Sequence, residues 1–172
     1  MNYCLGLSGS VVWTILLSSI CSTTVLAGSA ACKLRAYVVD QGSELLNVRK
    51  QPNSRSKILG KLPGNADLKI LKTEGNWLLI TPVSPADQNI EFQSQGWVFG
   101  SFLSLSTRGY GKKTVTVFRK AHANSGIAGR IASNTAVKLL SCQGEWALVE
   151  KGRVRGWLPP KDQCAAPFTT CS

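Results

Sequence analysis

Beyond residue 45 apolar and polar side chains alternate in short runs. Leu46-x-Val48, Leu68-x-Ile70 and Trp77-x-Leu79 put every second side chain on one face, which is the period of a β-strand. Turn-forming stretches separate the runs: Gln51-Pro52-Asn53-Ser54, Pro63-Gly64-Asn65 and Glu74-Gly75-Asn76. No window carries a stripe of 3.6-residue period, so no helix is predicted. Short strands packed between tight turns predict an all-β chain of small, strongly bent barrels.

The pattern occurs twice. KILKTEGNWLLI, residues 69–80, returns sixty-nine positions later as KLLSCQGEWALV, residues 138–149. With one single-residue gap, Val48-Arg49-Lys50 lies over Phe118-Arg119-Lys120, and Gly60-Lys61-Leu62 lies over Gly129-Arg130-Ile131. Each copy closes on Gly-Trp, at Gly96-Trp97 and Gly156-Trp157. A repeat of this length predicts a duplicated domain, since solenoid units are shorter. Gly75 and Gly144 are placed to supply the left-handed turn position between two strands.

Both copies resemble the bacterial SH3-like domain (SH3b). The resemblance rests on Asn47-Val48-Arg49, the loop Gln51 to Ser56, Ile58-Leu59-Gly60, the strand Leu68 to Leu71, Gly75-Asn76-Trp77 and Gly96-Trp97-Val98, in that order. It implies two tandem small SH3-like barrels of about five short strands each. The boundaries expected are a leader at 1–27, an N-terminal segment and first strand at 28–45, one domain at 46–105, a linker at 106–114, a second domain at 115–164 and a tail at 165–172. The copies differ. Fifteen residues separate Ile80 from Gly96 but six separate Val149 from Gly156, so the first distal hairpin is longer and contains two Pro. The second copy lacks the Asn of Asn-Val-Arg, reading Thr116-Val117-Phe118-Arg119, and has His122 where the first has Pro52.

The first 27 residues read differently. The apolar run Val11 to Leu17 leads to the small-residue stretch VLAGSAA, the pattern of an export signal cleaved after Ala27. Ser18, Ser19, Ser22, Thr23 and Thr24 interrupt the run, which argues against a permanent membrane helix. Export places the mature chain in an oxidising compartment, where Cys32, Cys142, Cys164 and Cys171 form an even set for disulfides. The pairing expected is Cys142 with Cys164, inside one unit, and Cys32 with Cys171, at the chain ends. A lipoprotein anchored at Cys32 ranks second, because Ser29-Ala30-Ala31 lacks the usual aliphatic residue three before the Cys and lipidation would leave three thiols. The absence of any C-x-x-C pair argues against zinc.

The charge is uneven. The chain carries +11 overall; residues 33–105 have nine Lys and Arg against six acids, a net +3, and residues 106–172 have eleven against three, a net +8. An anionic partner is therefore expected on the second half. Arg119, Lys120, Arg130, Lys138 and the alternating Lys151, Arg153 and Arg155 are candidates to make a basic face, with Lys151, Arg153 and Arg155 pointing the same way if they share one strand. Export argues against nucleic acid. His122, the chain's one His, reads as an exposed loop residue, since a catalytic base needs a nucleophile and an orienting group beside it. Glu145 and Glu150 show no sign of a sugar-cleaving pair. Chains with SH3b domains often carry a cysteine peptidase, but no Asp-Cys-Ser-Gly stretch is present and no residues remain for such a domain. No enzyme, cofactor or metal site is expected.

The resemblance implies a binding module whose ligand class is the peptidoglycan peptide, rich in carboxylates, or another anionic envelope component. The alternative is a periplasmic adaptor that reads a partner protein's peptide. The binding residues expected are Asn47, Arg49, Trp77 and Trp97 in the first copy, and Arg119, Trp146, Lys151, Arg153, Arg155 and Trp157 in the second. Amphipathic Trp on a half-open groove is suited to hold such ligands.

Overall fold

A computed structural model describes residues 28–39, 42–83, 92–109, 111 and 113–165. The expected leader, Cys171 and most of the longer hairpin fall outside them. Among the described residues no helix is long and apolar enough to cross a membrane. The chain is all-β. Its strands are β1 (Ser29–Val38), β2 (Leu46–Arg49), β3 (Ile58–Leu62), β4 (Asp67–Glu74), β5 (Trp77–Pro82), β6 (Gly96–Phe99), β7 (Leu103–Thr107), β8 (Thr114–Phe118), β9 (Ile127–Ala132), β10 (Ala136–Gln143), β11 (Trp146–Lys151), β12 (Val154–Leu158) and β13 (Gln163–Cys164). Single 3₁₀ turns at Gly100–Phe102 and Pro160–Asp162 precede β7 and β13.

The alternation predicted from sequence is realised. In β4 the buried Leu68 and Ile70 flank exposed Lys69, and in β5 Leu78 and Ile80 turn inward. Gly75 and Gly144 both adopt φ +58°, and each opens a two-residue hairpin turn between paired residues Glu74–Trp77 and Gln143–Trp146. The glycines of the two Gly-Trp pairs serve close approach. A Cβ on Gly96 would lie 2.3 Å from Val48 Cγ1, and one on Gly156 would lie 2.9 Å from the Ala128 Cβ. Gly96→Ala is expected to cost about 1–3 kcal/mol by overpacking, read as a lowered midpoint in urea; an unchanged midpoint would show that β6 does not press on β2.

The architecture differs from two separate closed barrels. The strands form one open antiparallel sheet in the order β3-β2-β6-β5-β4-β1-β7-β10-β11-β12-β8-β9, with β13 also paired to β7. Its two arms read the same from their outer edges inward: β3-β2-β6-β5-β4 and β9-β8-β12-β11-β10. The cause is β7. It pairs with β1 through Tyr37–Ser104 and Val38–Leu103, and with β10 through Ser104–Lys138, Leu105–Val137 and Ser106–Ala136. It therefore closes one arm and opens the other. Apolar side chains from both arms form one cluster, from Val48 and Ile80 through Val38 and Leu105 to Leu139 and Val149.

The register also corrects the gapped alignment. Val48 pairs with Gly60 and Val117 pairs with Gly129, with a bulge directly after each. The offset is sixty-nine throughout this region, and no gap is needed. Arg49 thus corresponds to Phe118, Lys50 to Arg119 and Asn53 to His122. The loops confirm it. Asn53 N–H donates to Gln51 O (2.8 Å) and His122 N–H to Lys120 O (2.8 Å); Gln51 N–H donates to Ser56 Oγ (2.9 Å) and Lys120 N–H to Ser125 Oγ (2.9 Å). The shared Arg-Lys pair suggested the gap, but burial of Val48 and Val117 decides the register.

The cysteines pair differently from the expectation. Cys142 is bonded to Cys32, with Cα atoms 5.7 Å apart, and not to Cys164. Cys164 is itself disulfide-bonded. The start of β1 runs beside the β10–β11 hairpin, where Lys33 N–H donates to Gly144 O (2.7 Å) and Gly144 N–H to Ala31 O (2.8 Å). That crossing brings Cys32 to Cys142 from a sequence separation of 110.

Candidate functional site

A groove of about 710 Å³ lies on the first arm. Its walls are Glu44 to Asn47 and Arg49 on β2 and its approach, Pro52 to Ser54 of the following loop, Trp77 of β5, Phe99 of β6, and Ser101 and Phe102 of the 3₁₀ turn. Strand alternation places these side chains. Val48, Leu78 and Val98 point into the core, so Asn47, Arg49, Trp77 and Phe99 face the other way.

The aromatic wall is continuous. Trp77 and Phe99 are register partners, with ring centroids 5.4 Å apart at 72°, and Phe99 meets Phe102 at 6.3 Å and 62°. Both are edge-to-face contacts, which hold the rings in fixed orientations. Leu45 and Phe102 remain 50% and 40% exposed, large for apolar side chains at one site. Polar groups lie among them. Arg49 Nη1 donates to Ser56 O (2.8 Å), which ties the arginine to the loop. Arg55 N–H donates to Asn53 Oδ1 (3.1 Å) and Lys50 N–H to Lys57 O (2.9 Å), so the loop wall is braced. Asn47 Oδ1 is buried and accepts no hydrogen bond. Such an orphan acceptor costs about 1–3 kcal/mol.

Of the residues chosen from sequence, the structure therefore brings Asn47, Arg49 and Trp77 into one groove. Trp97 shares their sheet face and pairs with Arg49 but lies outside the groove, with Lys72 Nζ 5.9 Å over its ring. Phe99 and Phe102 were missed. Phe99 carried a signal, because it alternates with Trp97 and must share its face; Phe102, on a 3₁₀ turn, carried none.

The lining differs on the second arm. Its counterparts to Asn47, Arg49, Phe99 and Phe102 are Thr116, Phe118, Pro159 and Asp162, the last buried. Phe118 packs edge-on against Trp146, with centroids 5.8 Å apart at 82°. The main-chain frame is nonetheless shared: Val39 N–H donates to Phe102 O (2.9 Å) as Arg108 N–H does to Asp162 O (2.8 Å). Gly100 N–H donates to the hairpin carbonyl of Asn76 (2.8 Å); Pro160 has no N–H, and Gln163 Nε2 supplies the bond to Glu145 O instead (2.8 Å). Trp157 borders a smaller pocket of about 300 Å³. Arg119 is exposed and lines neither concavity.

Lys151, Arg153 and Arg155 do not share one strand face. Lys151 pairs with Val154 across a two-residue turn of Gly152 (φ +58°) and Arg153, while Arg155 pairs with Glu150. Lys151 and Arg155 therefore project from opposite faces of the hairpin. The alternation was real but ran through a turn. Among the described residues no group of three or more His, Cys, Asp or Glu is placed to hold a metal ion.

A comparison with curated proteins finds no match. Among solved structures, NlpC2 from Trichomonas vaginalis is 12% identical, covering 76% of this chain and 47% of that one with a TM-score of 0.33. An NlpC/P60 family protein from Bacillus cereus ATCC 10987 is 13% identical, covering 76% and 55% with a TM-score of 0.31. NlpC1 from Trichomonas vaginalis is 13% identical, covering 90% and 51% with a TM-score of 0.33. The chain spans about half the length of these proteins. A family model described as Bacterial SH3 domain matches residues 44–104. The similarity is confined to residues 44–104, and every residue lining the groove, from Glu44 to Phe102, lies inside that match.

Proposed function

We propose that the chain is an exported, non-enzymatic binding protein of two tandem SH3-like units, and that the groove of the first holds a cell-wall peptide or another anionic envelope component. The groove carries this reading. Trp77, Phe99 and Phe102 offer an apolar wall, Asn47 adds a polar amide to the lining, and Arg49 offers a guanidinium suited to a carboxylate. Disulfides at Cys32–Cys142 and at Cys164 agree with an oxidising compartment. A Cys32 sulfur held in a disulfide is not free to carry a lipid, which supports export without that anchor.

Trp77→Leu is expected to weaken retention on purified sacculi by about 30- to 100-fold, the loss typical of a buried aromatic anchor. Asn47→Ala tests the same groove with less risk to folding, and circular dichroism checks that both variants fold. Wild-type affinity in both folded variants would remove the groove from the binding site. The exposed Leu45 and Phe102 also suit a partner protein's peptide. A wild-type chain that binds no wall fragment would favour that adaptor reading.

A further inference from the structure

The small pocket on the second arm is lined by Lys120, Ala121, His122, Gln143 and Trp157. Its counterpart on the first arm is Gln51, Pro52, Asn53, Glu74 and Trp97, at offsets fixed by the shared registers. Comparison of the two shows that the charged positions differ. On the first arm Lys72 Nζ lies 5.9 Å over the Trp97 ring and 4.0 Å from Glu74 Oε2, so an internal cation occupies the indole face beside a carboxylate. On the second arm Ser141 replaces that lysine. Its Oγ lies 3.0 Å from Thr73 Oγ1, toward the neighbouring arm, so this position does not supply the cation that Lys72 supplies on the first arm. Glu74 becomes Gln143, Gln51 becomes Lys120, and Asn53 becomes His122. Among the described residues no carboxylate lines the pocket, and four of its five residues carry side-chain nitrogen donors.

The loop that presents these groups is braced. Ser125 Oγ accepts from Lys120 N–H (2.9 Å) and donates to Lys120 O (3.1 Å), while His122 O accepts from Ser125 N–H (3.2 Å). Lys120 and His122 thus flank the pocket from a fixed backbone.

We infer that this pocket is a second ligand site, separate from the groove, which takes an anionic sugar. The sugar ring lies on the Trp157 indole, and its carboxylate or phosphate meets Lys120 and His122. A cavity of about 300 Å³ has room for a single ring. Aromatic faces bind such rings through their apolar C–H surface, and the nitrogen donors select the charged member.

The test is a chemical-shift titration of the full exported chain at about 0.15 M salt, where the Debye length is about 8 Å and distant charges are screened. Mannose 6-phosphate and trigalacturonate are the two anionic probes, and neutral galactotriose is the control. Both anionic probes are expected to perturb the Trp157 indole N–H signal, and the neutral sugar is not; preference for one probe identifies phosphate or carboxylate as the source. Lys120→Gln with His122→Gln should weaken the binding by at least about tenfold through lost charge-assisted hydrogen bonds. Lys151→Gln with Arg153→Gln, outside the pocket, should change it less than about threefold, as for exposed charges. Trp77→Leu should leave it unchanged, which separates this site from the groove. Equal loss in the two double variants would mean diffuse attraction and overturn the site, as would binding of neither anionic probe.

Discussion

Replacing Cys32 and Cys142 together by Ala is expected to lower the unfolding free energy by about 4 kcal/mol. The bridge spans 110 residues, and in the chain-entropy account a loop of about this size stabilises by a little under 5 kcal/mol, with measured values more often 2–4. For a chain of this length each kcal/mol moves the melting temperature by about 2–4 °C, so a fall of roughly 8–16 °C is expected. The bridge pins the start of β1 to the β10–β11 hairpin, where two main-chain hydrogen bonds at Gly144 already hold the strands together. Without it, β1 should fray first from its Ser29 end. Melting curves of the double variant and of wild type, both under oxidising conditions that keep the Cys164 disulfide, measure the effect. A variant that melts within a degree of wild type would show that β1 is held by its sheet partners alone.

Leu105→Ala is expected to cost about 3–4 kcal/mol and to destabilise both arms in a single transition. Leu105 is fully buried on β7, the strand that pairs with β1 on one side and β10 on the other. Truncating a buried Leu removes its transfer energy and leaves a cavity, for a usual loss of about 2–5 kcal/mol. The consequence particular to this fold is cooperativity. Two independent barrels would melt in two steps, with the variant shifting one of them. A shared strand and one core make the arms unfold together, so calorimetric and van't Hoff enthalpies should agree for wild type and variant alike. Two resolved transitions, only one of them moved by the substitution, would show that β7 does not couple the arms.

The candidate site was partly legible for reasons that differ by residue. Asn47, Arg49 and Trp77 lie on strands whose alternation assigns their face, and the turn at Gly75 fixes where Trp77 begins. Phe102 was not legible, because a single 3₁₀ turn has no period to read. Lys151, Arg153 and Arg155 were misplaced since Gly152 and Arg153 form a turn that breaks the alternation. His122 read as an isolated loop residue. Its neighbours in the pocket, Gln143 and Trp157, come from strands that sequence distance keeps apart.

By itself the sequence determined the all-β class, the strand-and-turn pattern, the repeat and the SH3-like order of motifs. All of these are local: alternation, glycine at left-handed turn positions and the spacing of Gly-x-Trp hairpins follow from a few neighbouring residues. Three matters were left to the tertiary structure. One is the joining of the arms into an open sheet, because nothing local in Leu103–Thr107 states that both of its edges are used. Another is the Cys32–Cys142 pairing, which depends on where β1 crosses a hairpin more than a hundred residues away. The last is the contact of a cation with Trp97. Lys72 lies over Trp97 while the equivalent position on the second arm is the neutral Ser141, and that difference becomes visible only when long-range register sets the two arms in correspondence.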